Sequence, residues 1–363
     1  MVREMAIVIG TRPETLKMAP IINLLRAKGF TLTLVHTGQH HDYELCQQFI
    51  YELGLPHPSY NLKLNEETPA GQIGEMMVKL EKILNKSKPR LLLIQGDTNT
   101  MLASALTGVK LGIKICHVES GLRSYDWRMP EEHNRRMVDH ISDILFAPTS
   151  KAETNLIQEN VQDKVYVTGN TVIDTLTHYM PMAAKKSRIM DKVEYDEYAV
   201  VTIHRTENVD DPNVLKNFVQ SLIESTIPIV FPIHPRTNKR LRQRHLFRKL
   251  RSSKNIQILP PVGYFDMLML MKNCRFMMTD SGGLQEEATA PSIRKPVLVL
   301  RLSTERPEAV ETGFARLVGV EKSRILEALN NLLDKPPRLP HKSPFGDGRA
   351  AERILRIVER WTR

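Results

Sequence analysis

The chain has 363 residues, more than one ordinary hydrophobic core supports, so two domains of roughly 170 residues each are expected. Its 41% hydrophobic and 25% charged residues place it in the soluble globular class, and no run of about 18 apolar residues is available to cross a membrane. The net charge of +10 favours anionic partners in general.

In chain order, Met5 to Ile9 is an apolar strand bounded by Gly10, reached too soon for a signal peptide, so a cytoplasmic location is expected. Thr15 to Lys28 repeats Leu16, Ala19, Ile22 and Leu25 at helical spacing and stops at Gly29. Thr31 to Val35 is the next strand, Tyr43 to Leu53 a helix closed by Gly54, and Thr68 to Lys86 a long amphipathic helix. Arg90 to Ile94 reads as a fully buried strand. Met101 to Leu111, Lys114 to Val118, Glu131 to Ser142 and Ile144 to Ala147 continue the alternation. The series restarts after a charged stretch, Ala183 to Glu197, with strands at 198–202, 227–231, 256–259, 276–279 and 296–300.

Alternating strands and helices imply parallel sheets covered on both faces, so the fold class is α/β with two Rossmann-like, doubly wound domains. The domain boundary is placed near residues 168–180, giving domains 1–170 and 171–345. A Pro-rich segment, Lys335 to Pro344, leads into a final helix within 346–363. Such sheets bind ligands beyond the carboxyl ends of their strands, which predicts a site in an interdomain cleft.

The chemically informative residues stand at those strand ends. Gly10-Thr-Arg-Pro-Glu14 closes the first strand, where Arg12 offers a fork for phosphate oxygens and Lys17 a point charge. Asp97 follows four apolar residues, Gln95 and a glycine, and Glu119 follows Lys114 to Val118. Glu131 and Glu132 occupy the first turn of a helix opened by Pro130. His204 ends the second domain's first strand and suits a phosphate ligand or proton donor, with His234 a weaker candidate.

Asp280-Ser-Gly-Gly-Leu-Gln-Glu-Glu287 is a turn from strand to helix. Its amides at Ser281, Gly282 and Gly283 suit a diphosphate, and Glu287, one turn on, suits ribose hydroxyls. No GxGxxG follows the first strand, which argues against hydride chemistry. Cys46, Cys116 and Cys274 are isolated, so neither a disulfide framework nor a metal site is supported. The dense basic run Arg236 to His245 reads as a solvated helix face, and no nucleic-acid or membrane partner is expected.

Taken in order, seven motifs make the chain resemble the non-hydrolysing UDP-N-acetylglucosamine 2-epimerases. They are Gly10-Thr-Arg-Pro-Glu14, Gln95-Gly-Asp-Thr98, His117-Val-Glu-Ser-Gly-Leu-Arg123, Met129-Pro-Glu-Glu-His-Asn-Arg135, Thr202-Ile-His-Arg-Thr-Glu-Asn208, Ser281-Gly-Gly-Leu-Gln-Glu-Glu287 and Thr304-Glu-Arg-Pro-Glu-Ala-Val310. The resemblance implies the glycosyltransferase family B architecture, a C-terminal helix crossing back to the first domain, and a homodimer. It implies interconversion of UDP-GlcNAc and UDP-ManNAc without metal or NAD, by elimination of UDP to 2-acetamidoglucal and re-addition. It places Asp97, Glu119 and Glu131 at the sugar as acid–base groups, His204 at the leaving phosphate, and Glu287 on the ribose.

One departure stands out. Substrate-activated bacterial members carry a second Gln three residues after the position of Gln39, and this chain has Asp42 there, which puts an allosteric substrate site in doubt. The rival readings are a C2 epimerase of a UDP-diacetamido-uronic acid, a glycosyltransferase of the same fold, and a sugar-nucleotide sensor. The first needs a cation for the extra carboxylate, which Arg123, Arg128 or Arg135 could supply. The second needs an acceptor pocket, and the third leaves the three carboxylates without a task.

Overall fold

The structure is a computed structural model that describes residues 4–38, 49–161 and 164–362. Gln39, Asp42, Cys46 and most of the helix expected from Tyr43 lie outside the described residues. The chain divides into two compact units, one of Met1–Thr175 with Phe345–Arg363 and one of Leu176–Pro344.

The first unit is built on seven strands: β1 (Glu4–Ile9), β2 (Thr31–His36), β3 (Tyr60–Asn61), β4 (Leu91–Gln95), β5 (Lys114–Val118), β6 (Ile144–Ala147) and β7 (Lys164–Val167). Their order is β3-β2-β1-β4-β5-β6-β7, and every pairing is parallel. β4 lies in the interior of the sheet with all five residues buried, which is why Leu91 to Ile94 read as an unbroken apolar run. The helix Pro69–Ser87 shows how a flanking helix is specified. Thr68 caps it by accepting from the Gly71 amide at 3.1 Å, Met76, Leu80 and Leu84 recur every fourth residue on its buried side, and Lys88 ends it at φ +43. Those three side chains join Ala6, Val8, Leu92 and Ile94 in the core.

The second unit holds β8 (Ala199–Thr202), β9 (Ile229–Pro232), β10 (Ile256–Leu259), β11 (Phe276–Thr279), β12 (Val297–Val299) and β13 (Ala315–Leu317). Their order is β10-β9-β8-β11-β12-β13, again parallel throughout. The winding direction reverses between β1 and β4 in one unit and between β8 and β11 in the other. Such reversal points are where open parallel sheets leave a crevice at the strand ends. Both units are therefore the doubly wound α/β class expected.

The last helix, Ala350–Trp361, belongs to the first unit and packs against the helix Arg12–Ala27. Its first amides would lack partners, but Asp174 accepts from Ala350 and Ala351 at 3.1 and 2.9 Å. Burial pushes the Asp174 carboxyl up to about 6 against those bonds. No helix among the described residues is long and apolar enough to cross a membrane.

Candidate active site

In the first unit, the loop after β1 folds onto Glu14. Its Oε2 accepts from the Gly10 amide at 2.5 Å and the Thr11 amide at 3.1 Å, and its Oε1 accepts from the Thr98 hydroxyl at 2.6 Å. A carboxylate thus fills a turn whose amides would otherwise suit an anion. Gly10 is required by packing, since a Cβ there would lie 2.3 and 2.4 Å from the Thr100 and Thr37 hydroxyl oxygens. Burial of Glu14 raises its pKa to about 7, against the opposing pull of its hydrogen bonds.

Asp97 stands after β4 in a loop held from two sides. Its carbonyl accepts from Asn134 Nδ2 at 2.9 Å, and the Gly96 carbonyl lies 2.8 Å from His117 Nε2. The Asp97 carboxylate is partly exposed and pairs with Arg135 Nη1 at 2.5 Å. Glu119, after β5, takes the left-handed backbone conformation at φ +69, which a residue with a side chain adopts only under constraint. The constraint is visible at both ends. The Glu119 and Ser120 amides both donate to the Phe146 carbonyl at 3.1 and 3.2 Å, and Oε2 accepts from Lys17 Nζ (2.5 Å), Gln95 Nε2 (3.1 Å) and Asn170 Nδ2 (3.3 Å). Glu131 lies half-buried on the first turn of helix Pro130–Ile141, and no side-chain bond to it is seen among the described residues.

In the second unit, the end of β8 meets the end of β11. Asp280 is fully buried and accepts from the His204 and Arg205 amides and from Asn208 Nδ2, all within 3.1 Å. Its Oδ1 also lies 3.1 Å from His204 Nδ1. Burial penalises its charge, but these donors outweigh burial and hold its pKa below the ordinary carboxylate range. An ionised Asp280 fixes the imidazole through its contact with Nδ1. The His234 ring lies 5.6 Å from that of His204, and His234 caps the helix Pro235–Gln243 through Nδ1, which accepts from the Arg236 amide.

Ser281 caps the helix Gly282–Ala288, its hydroxyl accepting from the Leu284 amide at 3.4 Å. A Cβ on Gly282 would sit 2.4 Å from Glu305 Oε1, so glycine is needed for that approach. Glu305 in turn pairs with Arg205 at 3.1 Å and Arg301 at 2.7 Å. Glu287 is buried, and its charge adds to desolvation in raising the Tyr264 hydroxyl well above its ordinary pKa.

The structure brings several expected residues together and gives others different partners. Asp97 and Glu119 follow neighbouring strands of the first unit, and His204 and Ser281–Gly283 follow neighbouring strands of the second. Lys17, expected at a phosphate, is buried in an ion pair with Glu119. Arg12 is exposed, with its guanidinium 4.9 Å from the Phe49 ring centroid. The three arginines considered for a substrate carboxylate all have carboxylate partners. Arg123 pairs with Asp139 and Glu159, Arg128 with Asp126, and Arg135 with Asp97 and Glu132. Sequence reasoning assigned no role to Glu14, Gln95, Asn170 or Asp280. Asp280 carried the one usable signal, a polar residue directly after a buried strand.

The family model for UDP-N-acetylglucosamine 2-epimerase matches residues 23–359. The chain belongs to this family. It is an enzyme of the isomerase class. It is 44% identical over 98% of each chain to the UDP-N-acetylglucosamine 2-epimerase of Methanocaldococcus jannaschii. The crystal structure of that relative in complex with UDP-GlcNAc and UDP superposes with a TM-score of 0.92, covering 98% of this chain and 99% of the other. A Pseudomonas aeruginosa relative, UDP-2,3-diacetamido-2,3-dideoxy-D-glucuronate 2-epimerase, is 35% identical over 97% of this chain and 98% of its own.

Proposed function

We propose that the chain interconverts UDP-GlcNAc and UDP-ManNAc by inverting C2 through elimination and re-addition of UDP. The observation that carries this reading is the 44% identity, over 98% of the chain, to a relative crystallised with UDP-GlcNAc and UDP. In the forward direction a carboxylate takes the C2 proton, the C–H electron pair becomes the C1=C2 double bond, and UDP leaves with the C1–O pair. In the return, a carboxyl delivers a proton to the opposite face of C2 as the β-phosphate oxygen rejoins C1. Electrons and protons close on substrate and side chains, so no redox partner is called for. C2–H is not acidic until C1 gains oxocarbenium character, so stabilising the departing phosphate must lead.

In this reading the second unit binds UDP. The Ser281, Gly282 and Gly283 amides hold the diphosphate, Glu287 takes the ribose hydroxyls, and His234 lies beside His204. His204, backed by Asp280, donates to the leaving phosphate. Glu14 already covers the Gly10 and Thr11 amides, which supports placing the diphosphate on the second unit's amides instead. The first unit's carboxylates work on the sugar. Glu119 and Asp97 each face a cation, whereas Glu131 has none bonded to it among the described residues. In this reading Glu131 carries the returning proton. The ion pairs of Arg123, Arg128 and Arg135 favour an uncharged sugar over a uronic acid.

The test is proton NMR of UDP-GlcNAc incubated with the chain in D₂O. Loss of the C2 proton signal with appearance of UDP-ManNAc and traces of UDP and glucal is expected. Intact substrate with no exchange after long incubation would move the assignment to another UDP-sugar or to glycosyl transfer.

A further inference from the structure

We propose that Asn170 is a positioning residue for Glu119, tying the carboxylate to the segment where the chain leaves and re-enters the first unit. The proposal rests on the epimerase reading for its kinetic part. The chain passes from the first unit to the second between Thr175 and Leu176 and returns between Pro344 and Phe345. Asn170 is 2% exposed and lies where these two passages run side by side, its amide donating to the Phe345 carbonyl at 2.7 Å. Its side-chain oxygen accepts from the Val172 amide at 3.0 Å. That bond fixes which end of the side chain is oxygen, so Nδ2 is the atom 3.3 Å from Glu119 Oε2.

Among the described residues Glu119 accepts from side chains in three different places: Lys17 on the first helix, Gln95 at the end of β4, and Asn170 on the crossing segment. Lys17 supplies charge. Gln95 and Asn170 supply direction, which matters for a carboxylate on a backbone held at φ +69. Asn170 is the one of the three whose own backbone is bound to the returning chain, which ties Glu119 to that chain.

Asn170→Asp separates positioning from mere packing. It is nearly isosteric, keeps an oxygen for the Val172 amide and leaves the backbone bond to Phe345 intact, but replaces the donor facing Glu119 with an acceptor. A second carboxylate at that distance disfavours ionisation of the pair. The acid limb of the kcat profile should move up by about one pH unit, with activity partly recovered at high pH. Asn170→Ala should lower kcat about 10-fold with KM changed less than 3-fold. A ¹³C-carboxyl titration of Glu119 in the full-length protein reads the same coupling without turnover, and its midpoint should rise in Asn170→Asp. An unmoved midpoint in a folded Asn170→Asp protein would overturn the proposal, as would wild-type kcat in Asn170→Ala. If wild type itself fails to exchange C2–H in UDP-GlcNAc, the substrate assignment falls, while the titration still decides the role of Asn170.

Discussion

Replacing Glu14 with Gln removes one titrating group from the centre of the first unit while keeping an oxygen for the Gly10 and Thr11 amides. The wild-type carboxyl is 2% exposed, and burial moves its pKa from 4.5 to about 7. The folded state thus binds this proton more tightly than the unfolded state. The stability it contributes is fully present below pH 4.5 and is lost as the pH rises through about 7. At about 1.4 kcal/mol per pH unit, that window is worth about 3 kcal/mol. Gln does not titrate, and its NH₂ can donate to the Thr98 hydroxyl that now donates to Glu14. Urea denaturation of both proteins between pH 4.5 and 8.5 provides the comparison. The stability of Glu14→Gln relative to wild type should rise by about 3 kcal/mol across the range. Asp174, raised to about 6, titrates in the same sense in both proteins and cancels in the difference. A difference that stays flat with pH would refute the reasoning.

Three further outcomes follow from the site. Asp97→Asn should cut turnover by about 10²-fold or more while leaving UDP-sugar affinity in place, and unchanged turnover would remove Asp97 from the acid–base role. Glu131→Gln should still allow loss of the C2 proton but accumulate UDP and glucal instead of the epimer, seen by NMR in D₂O; normal product ratios would exclude Glu131 as the group returning the proton. Gly282→Ala places a methyl group against Glu305 and should weaken UDP binding about 10-fold or more by calorimetry, with native-like circular dichroism; undiminished affinity would remove the phosphate role of this turn.

The architecture was legible because strands buried on both faces leave apolar runs. Lys114–Val118, Ile144–Ala147, Ile256–Leu259 and Phe276–Thr279 have the bounds read from sequence. The outer strands β3, β7 and β13 were not read, being two to four residues long and largely half-buried or exposed. The helix Thr171–Lys186 also escaped, with Pro181 inside it and its end lying in the charged stretch from Ala183. For the site, strand ends pointed to Asp97, Glu119 and His204, but nothing local named their partners. Lys17 is 102 residues from Glu119 and Asp280 is 76 from His204. Those pairs exist because β1, β4 and β5 adjoin in one sheet and β8 and β11 in the other, an order that one sequence does not print.

The same distribution of partners explains how similar carboxylates can be given unlike tasks. Inversion at C2 requires a base on one face and an acid on the other at the same pH, so the groups must differ in protonation. Composition cannot supply that difference, since Asp97, Glu119 and Glu131 have nearly equal intrinsic affinities for a proton. Placement can. Asp97 has Arg135 at 2.5 Å and Glu119 has Lys17 at 2.5 Å, while Glu131 has no cation bonded to it among the described residues. Glu14, with hydroxyl and amide donors and no cation bonded to it among the described residues, is pushed up to about 7 by burial. Glu14 and Glu119 are both buried in one unit, and they differ in that Glu119 has the Lys17 ammonium at its carboxylate. The proposed assignment of the returning proton to Glu131 puts the acid on the sugar-side carboxylate that has no bonded cation among the described residues.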